Sequence, residues 1–139
     1  MAQIIILYKL KPDVTREAYE TWTRTVDYPS MRGLQRVASF VNHRVTGKLM
    51  GDGEPSVQYV ELFDVPDLQG FVGEDMGGPV VQKVMGEFMG FVDNPEFLTA
   101  EAVLGRPVDE RLQMQLTMAG VLALLSLMAF VMINDVITL

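Results

Sequence analysis

His43 is the only histidine of the chain, and its side chain titrates near neutrality, with a reference pKa of about 6.5. It stands beside Arg44 in a β-patterned stretch, and Tyr59 and Glu61 fall in the stretch expected to pair with it. A histidine, a phenol and a carboxyl gathered inside a barrel can bind a small polar ligand or pass a proton, so His43, Tyr59 and Glu61 are the catalytic candidates. The plainer use of a lone histidine is structural or at the surface. Asp27 and Tyr28 lie where the first helix meets the second strand and could contribute, but Asp27-Tyr-Pro-Ser30 better suits a turn, since Asp and Pro nucleate turns.

Composition removes other chemistries. Without cysteine there is no thiol nucleophile, disulfide frame or Cys-ligated zinc, and one histidine cannot build a site of histidines alone. Gly47–Gly53 (GKLMGDG) sets a lysine among glycines but lacks the GxxxxGK[ST] spacing and following helix of a phosphate cradle. In Gly73–Pro79 the acidic Glu74 and Asp75 would repel phosphate, which leaves a helix entry. The 18 acidic against 11 basic residues, a net charge of −7, argue against nucleic acid as a partner. Ten methionines suit adaptable packing better than metal ligation, and neither a metal nor a cofactor is expected.

The elements that must hold the candidates occupy residues 1–104. Gln3–Leu10 is rich in β-branched residues and stops at Lys11-Pro12-Asp13, which reads as a strand. Thr15–Val26 spaces Ala18, Tyr19, Trp22 and Val26 helically behind a capping Asp13 or Thr15, and Asp27-Tyr-Pro-Ser30 is expected to break that helix. Leu34–Thr46 alternates as a second strand, with Val37, Val41 and His43 on one face and Phe40, Asn42 and Arg44 on the other. Gly47–Pro55 is a hairpin loop, and Val57–Val65 a third strand with Tyr59, Glu61 and Phe63 on a shared face. A short helical turn follows over Pro66–Gly73. Gly77-Gly78-Pro79 opens another helix with the stripe Val80, Val81, Val84, Met85, Phe88 and Val92; Asp93-Asn94-Pro95 ends it, and Phe97–Leu104 is the fourth strand. The order βαββαβ makes an α+β, ferredoxin-like domain. With both helices on one face, the other sheet face is apolar and open. A second copy or an unlike partner would cover it, as in a dimeric α/β barrel.

Val26-Asp-Tyr-Pro-Ser30, Val57-Gln-Tyr-Val-Glu-Leu62 and the run Gly86–Phe97 together resemble the REDY-like (HapK-like) family, over roughly residues 3 to 104. The turns Asp27-Tyr28-Pro29 and Asp93-Asn94-Pro95 carry most of that resemblance. It implies the dimeric ferredoxin-like fold and a setting in pigment metabolism, and it transfers no catalytic residue to this chain.

Residues 112–134 carry no charge. As a helix they would be about 34 Å long, enough for a hydrocarbon core of about 30 Å, so a single transmembrane helix is expected there. Residues 105–111 then form a linker and 135–139 a short tail. Arg106 and Arg111 precede the run and no Lys or Arg follows it, which places the N-terminal domain in the cytoplasm of a tail-anchored, bacterial inner-membrane protein. The N-terminus lacks the basic region and cleavage site of a secretory signal. Ala119, Gly120, Ala123 and Ser126 are small enough to admit a neighbouring helix.

The function expected from this combination is an accessory subunit of a bacterial respiratory or photosynthetic membrane complex. It would sit in the lipid bilayer and dock on other subunits through its helix and open sheet face. The alternative is a membrane-tethered binder or enzyme for a pigment, quinone or polyketide-type small molecule, with its site in the barrel interior. A homodimer would also cover the open face.

Overall fold

The computed structural model describes residues 2–105, and the elements below all lie in one unit, Met1–Ala102. The expected span at 112–134, with Ala119, Gly120, Ala123 and Ser126, lies outside the described residues. Among the described residues no helix is long and apolar enough to cross a membrane.

Four strands, β1 (Ala2–Leu10), β2 (Ser39–Arg44), β3 (Tyr59–Asp64) and β4 (Val92–Glu101), form one sheet in the order β2-β3-β1-β4. Every neighbouring pair is antiparallel, so β1 and β2 run the same way with β3 between them. This is the expected ferredoxin-like arrangement. The strand residues Ile6, Tyr8, Phe40, Tyr59 and Phe63 alternate onto one face and join Tyr19, Trp22, Val84 and Phe88 from the helices in a single core. On the opposite face Val41, Leu62 and Leu98 stay exposed.

The segment Asp27-Tyr-Pro-Ser30 does not break the first helix. Arg16–Trp22 (α1), capped by the Thr15 hydroxyl on the Ala18 N–H, passes through a π-helical turn at Thr23–Asp27 directly into Tyr28–Arg32 (α2). Pro29 has no N–H to give back to the preceding turn of this continuous helix, and the π turn lies directly before the place where that bond is missing. The π turn closes through Tyr28 N–H to the Thr23 carbonyl; its one extra residue shifts the helical phase and leaves Asp27 on the buried side.

β2 is shorter than the alternation implied, because Leu34–Val37 forms turns closed by Leu34 N–H to Met31 O and Val37 N–H to Leu34 O. β4 begins at Val92, earlier than expected. Asp93-Asn94-Pro95 lies inside it, with Asn94 at φ 47° beside the register shift between Leu7 and Lys9. The short helical turn is Leu68–Gly70 (α3), followed by a second π turn at Phe71–Asp75. Pro79–Phe91 (α4) starts at the proline that marked it and buries Val81, Val84 and Phe88.

Candidate functional site

Strand pleating and register bring one row of side chains across the helix-covered face. Asn42 of β2 and Ile6 of β1 are the direct partners of Glu61 on β3, and Phe97 of β4 pairs with Ile6. The row of Tyr8 and Tyr59 lies on one side and that of Ile4 and Phe63 on the other. Over this floor is a cavity of about 610 Å³, enclosed by α2, α4 and the segment Leu68–Met76. Its wall is apolar, with Phe71, Val84, Met85 and Phe88 prominent, and the charged groups lining it are Asp27 and Glu61. That size and lining suit a small organic ligand.

Glu61 is 2% and Asp27 3% exposed. Three donor groups surround one oxygen of Glu61, Oε1, within hydrogen-bond distance: the Tyr8 hydroxyl at 3.0 Å, the Tyr19 hydroxyl at 3.4 Å and Asn42 Nδ2 at 3.3 Å. The Tyr8 and Tyr19 hydroxyls also bond each other, so one phenol proton is used between them and the other is left for Oε1, while Asn42 Nδ2 lies 2.8 and 3.1 Å from the two hydroxyls. Among the described residues nothing donates to Glu61 Oε2 or to the Asp27 carboxyl. The two acids therefore each keep an oxygen for a ligand.

Burial pushes the Glu61 carboxyl up to about 8; the neighbouring Asp27 charge adds to this, and the bonds from Tyr8 and Tyr19 oppose it. Burial likewise pushes Asp27 up to about 7, against the pull of Arg32. Burial and then the Glu61 charge raise both the Tyr8 and Tyr19 phenols, so they remain protonated donors. Both carboxyls are thus held well above the ordinary carboxylate range and exchange their protons near neutral pH. Among the described residues no three His, Asp or Glu side chains group to hold a metal ion.

The structure separates the three sequence candidates. Glu61 is in the cavity. Tyr59 is buried but points its hydroxyl at Glu20, 2.8 Å away, and stacks on Tyr8 with ring centres 5.7 Å apart. His43 pairs with Val60 and is exposed on the open sheet face, Nδ1 lying 3.2 Å from the Val60 carbonyl, so it shares no face with Glu61 or Tyr59. Tyr28 serves the frame: its hydroxyl accepts from the Asn42 N–H at 2.9 Å, and Arg32 stacks over its ring. Asp27, weighed mainly as a turn residue, is the second acid of the site. Tyr8, Tyr19 and Asn42 were not among the candidates; the signal for them was polar groups within otherwise apolar faces.

Arg36 ties down the segment over the cavity, reaching Asp67 at 3.2 Å, Glu74 at 2.9 Å and Asp75 at 3.3 Å. Arg36→Ala is expected to speed amide exchange over residues 68–76 by roughly five-fold while leaving β1 and β3 unchanged. Equal protection in both proteins would show that the fork restrains nothing.

The family model described as REDY-like protein HapK matches residues 2–103. Among solved structures the chain is similar to HapK from Hahella chejuensis, with 27% identity and a TM-score of 0.61, over 78% of this chain and 98% of that one. Hydroxynitrile lyase from Passiflora edulis shares the fold at 11% identity and a TM-score of 0.64, over 76% of this chain and 96% of that one. A dimeric ferredoxin-like protein from Thermobifida fusca shares it at 12% identity and 0.56, over 73% and 90%. No curated protein matches the chain.

These relatives overturn the reading as an accessory subunit of a respiratory or photosynthetic membrane complex. The match to HapK spans the ferredoxin-like domain, and the same fold in Passiflora is an enzyme. The domain itself carries an apolar cavity lined by the buried acids Glu61 of β3 and Asp27 of the π turn.

Proposed function

The chain belongs to the REDY-like HapK family, and from that premise we propose that its domain is an acid–base catalyst acting on a small, largely apolar carbonyl compound. The observation that carries this reading is the pair of buried carboxyls, poised near neutral pH, in an otherwise apolar cavity of about 610 Å³. In the reaction, the Asp27 carboxylate takes a proton from the carbon next to the carbonyl. The C–H electron pair becomes the enol double bond, and Glu61 gives its proton to the carbonyl oxygen. A neutral enol forms as the carbonyl π pair takes that proton, and the single negative charge passes from Asp27 to Glu61. Tyr8, Tyr19 and Asn42 orient Glu61 by holding Oε1, which leaves Oε2 for the substrate.

Indanone in deuterated water provides the test, with hydrogen exchange at its α-carbon followed by NMR. The protein is expected to speed exchange, and Asp27→Asn and Glu61→Gln to lower the rate by about 10²-fold or more. Exchange at the buffer rate, or equal rates in all three proteins, would overturn the assignment.

A homodimer formed through the open sheet face fits both the exposed Val41, Leu62 and Leu98 and the dimeric relative of the same fold. Leu62→Lys would then place a charge in the middle of a sheet-to-sheet contact. It is expected to raise the dimer Kd at least about ten-fold by analytical ultracentrifugation. A wild-type chain that sediments as a monomer at micromolar concentration would exclude the homodimer.

A further inference from the structure

A second cavity, of about 520 Å³, opens where β1 leaves for α1 and the β2–β3 loop folds back. It shares no lining residue with the first, and its character is the reverse. Lys9, Lys11, Arg16 and Arg44 line it against a single carboxylate, Glu54, in a chain whose net charge is −7. Among the described residues no carboxylate lies within ion-pair distance of Lys9, Lys11 or Arg16. Arg44 is held in a two-bond fork by Glu20, Nε at 2.8 Å and Nη2 at 2.9 Å, which fixes its guanidinium at the rim. Arg16 and Arg44 line the same cavity as Tyr59, whose hydroxyl donates to Glu20 at 2.8 Å.

Cations gathered in one concavity repel each other and focus a positive potential that an anion relieves. Thr46 adds a hydroxyl to the wall, and around Gly47 and Gly53 no heavy atom lies within 4 Å of where a Cβ would stand, which leaves room beside the cations. Guanidinium and ammonium groups together favour a compact oxyanion of more than one charge over a single carboxylate.

We propose that this basin is a binding site for a phosphate or phosphate ester, with Lys11 and Arg16 as its principal free cations and Arg44 as its fixed wall. The ester could be a free metabolite or the headgroup of a phospholipid, and the chemistry recognised is the same. The site is independent of the acid–base reading, since no group of one takes part in the other.

Titration of the full chain with inorganic phosphate, pyrophosphate and glycerol phosphate in a calorimeter provides the test. One-to-one binding that weakens as salt is raised is expected, and the double variant Lys11→Ala/Arg16→Ala should weaken it at least ten-fold. Lys83→Ala, on α4 and outside this cavity, should leave it unchanged. Tighter binding of glycerol phosphate than of phosphate or pyrophosphate assigns the site to a headgroup, and the opposite order assigns it to a free phosphate. The absence of binding for all three probes, or equal affinity in the double variant and the wild type, would overturn the proposal.

Discussion

Raising the pH from about 5 to about 9 is expected to destabilise the domain, by on the order of 4 kcal/mol through Glu61 alone. In the unfolded chain Glu61 ionises near its ordinary value of 4.5, whereas in the fold burial holds the proton to about 8. Between those values the native state binds more protons than the unfolded state, so stability falls as pH rises. The contribution is fully present below 4.5 and gone above about 8. Asp27 works in the same direction between 3.8 and about 7. Urea midpoints measured across this range check the sign. Glu61→Gln has no proton to lose and should flatten the upper part of the profile, between pH 7 and 8, while the Asp27 slope below it persists. A wild-type midpoint that is level or rises from pH 5 to 8 would falsify the account of two buried acids.

Phe88→Ala is expected to cost about 3–5 kcal/mol. The ring is 4% exposed and meets Tyr8 edge-on at 5.0 Å, with Trp22 at 6.4 Å and Phe97 at 6.2 Å. It also forms part of the cavity wall, so the space left by truncation joins a void that already exists and cannot close around the shorter side chain. Tyr8 would lose one of the rings packed on it, which loosens the hydroxyl that holds Glu61 Oε1, so the upper arm of the pH profile should shift in the same variant. Urea unfolding with an unchanged m-value measures the cost. A loss below about 1 kcal/mol would mean that the aromatic wall carries little of the fold's stability.

Particular residues show how far the pattern of the chain reaches. The β-branched run of β1, the glycine-rich loop between β2 and β3 and the proline that opens α4 were legible because each is a local preference of the backbone. So was the oddity of Glu61, an acid in the Tyr59–Phe63 apolar alternation. The fate of His43 was not legible. A period of two states which residues share a face, but Val37 and Val41 on one side and Phe40 on the other are both apolar, so the period cannot say which side the helices cover. Pairing of Asn42 with Glu61 and of His43 with Val60 settles it.

Asp27 illustrates the same limit in a helix. Asp-Tyr-Pro reads as a stop when each residue is weighed alone, and only packing against the core sustains the π turn that carries the chain through and presents the carboxyl to the cavity. By itself, then, the sequence determined the order of elements, the open apolar sheet face and the presence of an acid on a buried strand. The tertiary structure decided that this acid meets Asp27, Tyr8, Tyr19 and Asn42 rather than His43. Side chains from five places in the chain converge there, and their contacts depend on sheet register and helical phase, which no local preference encodes.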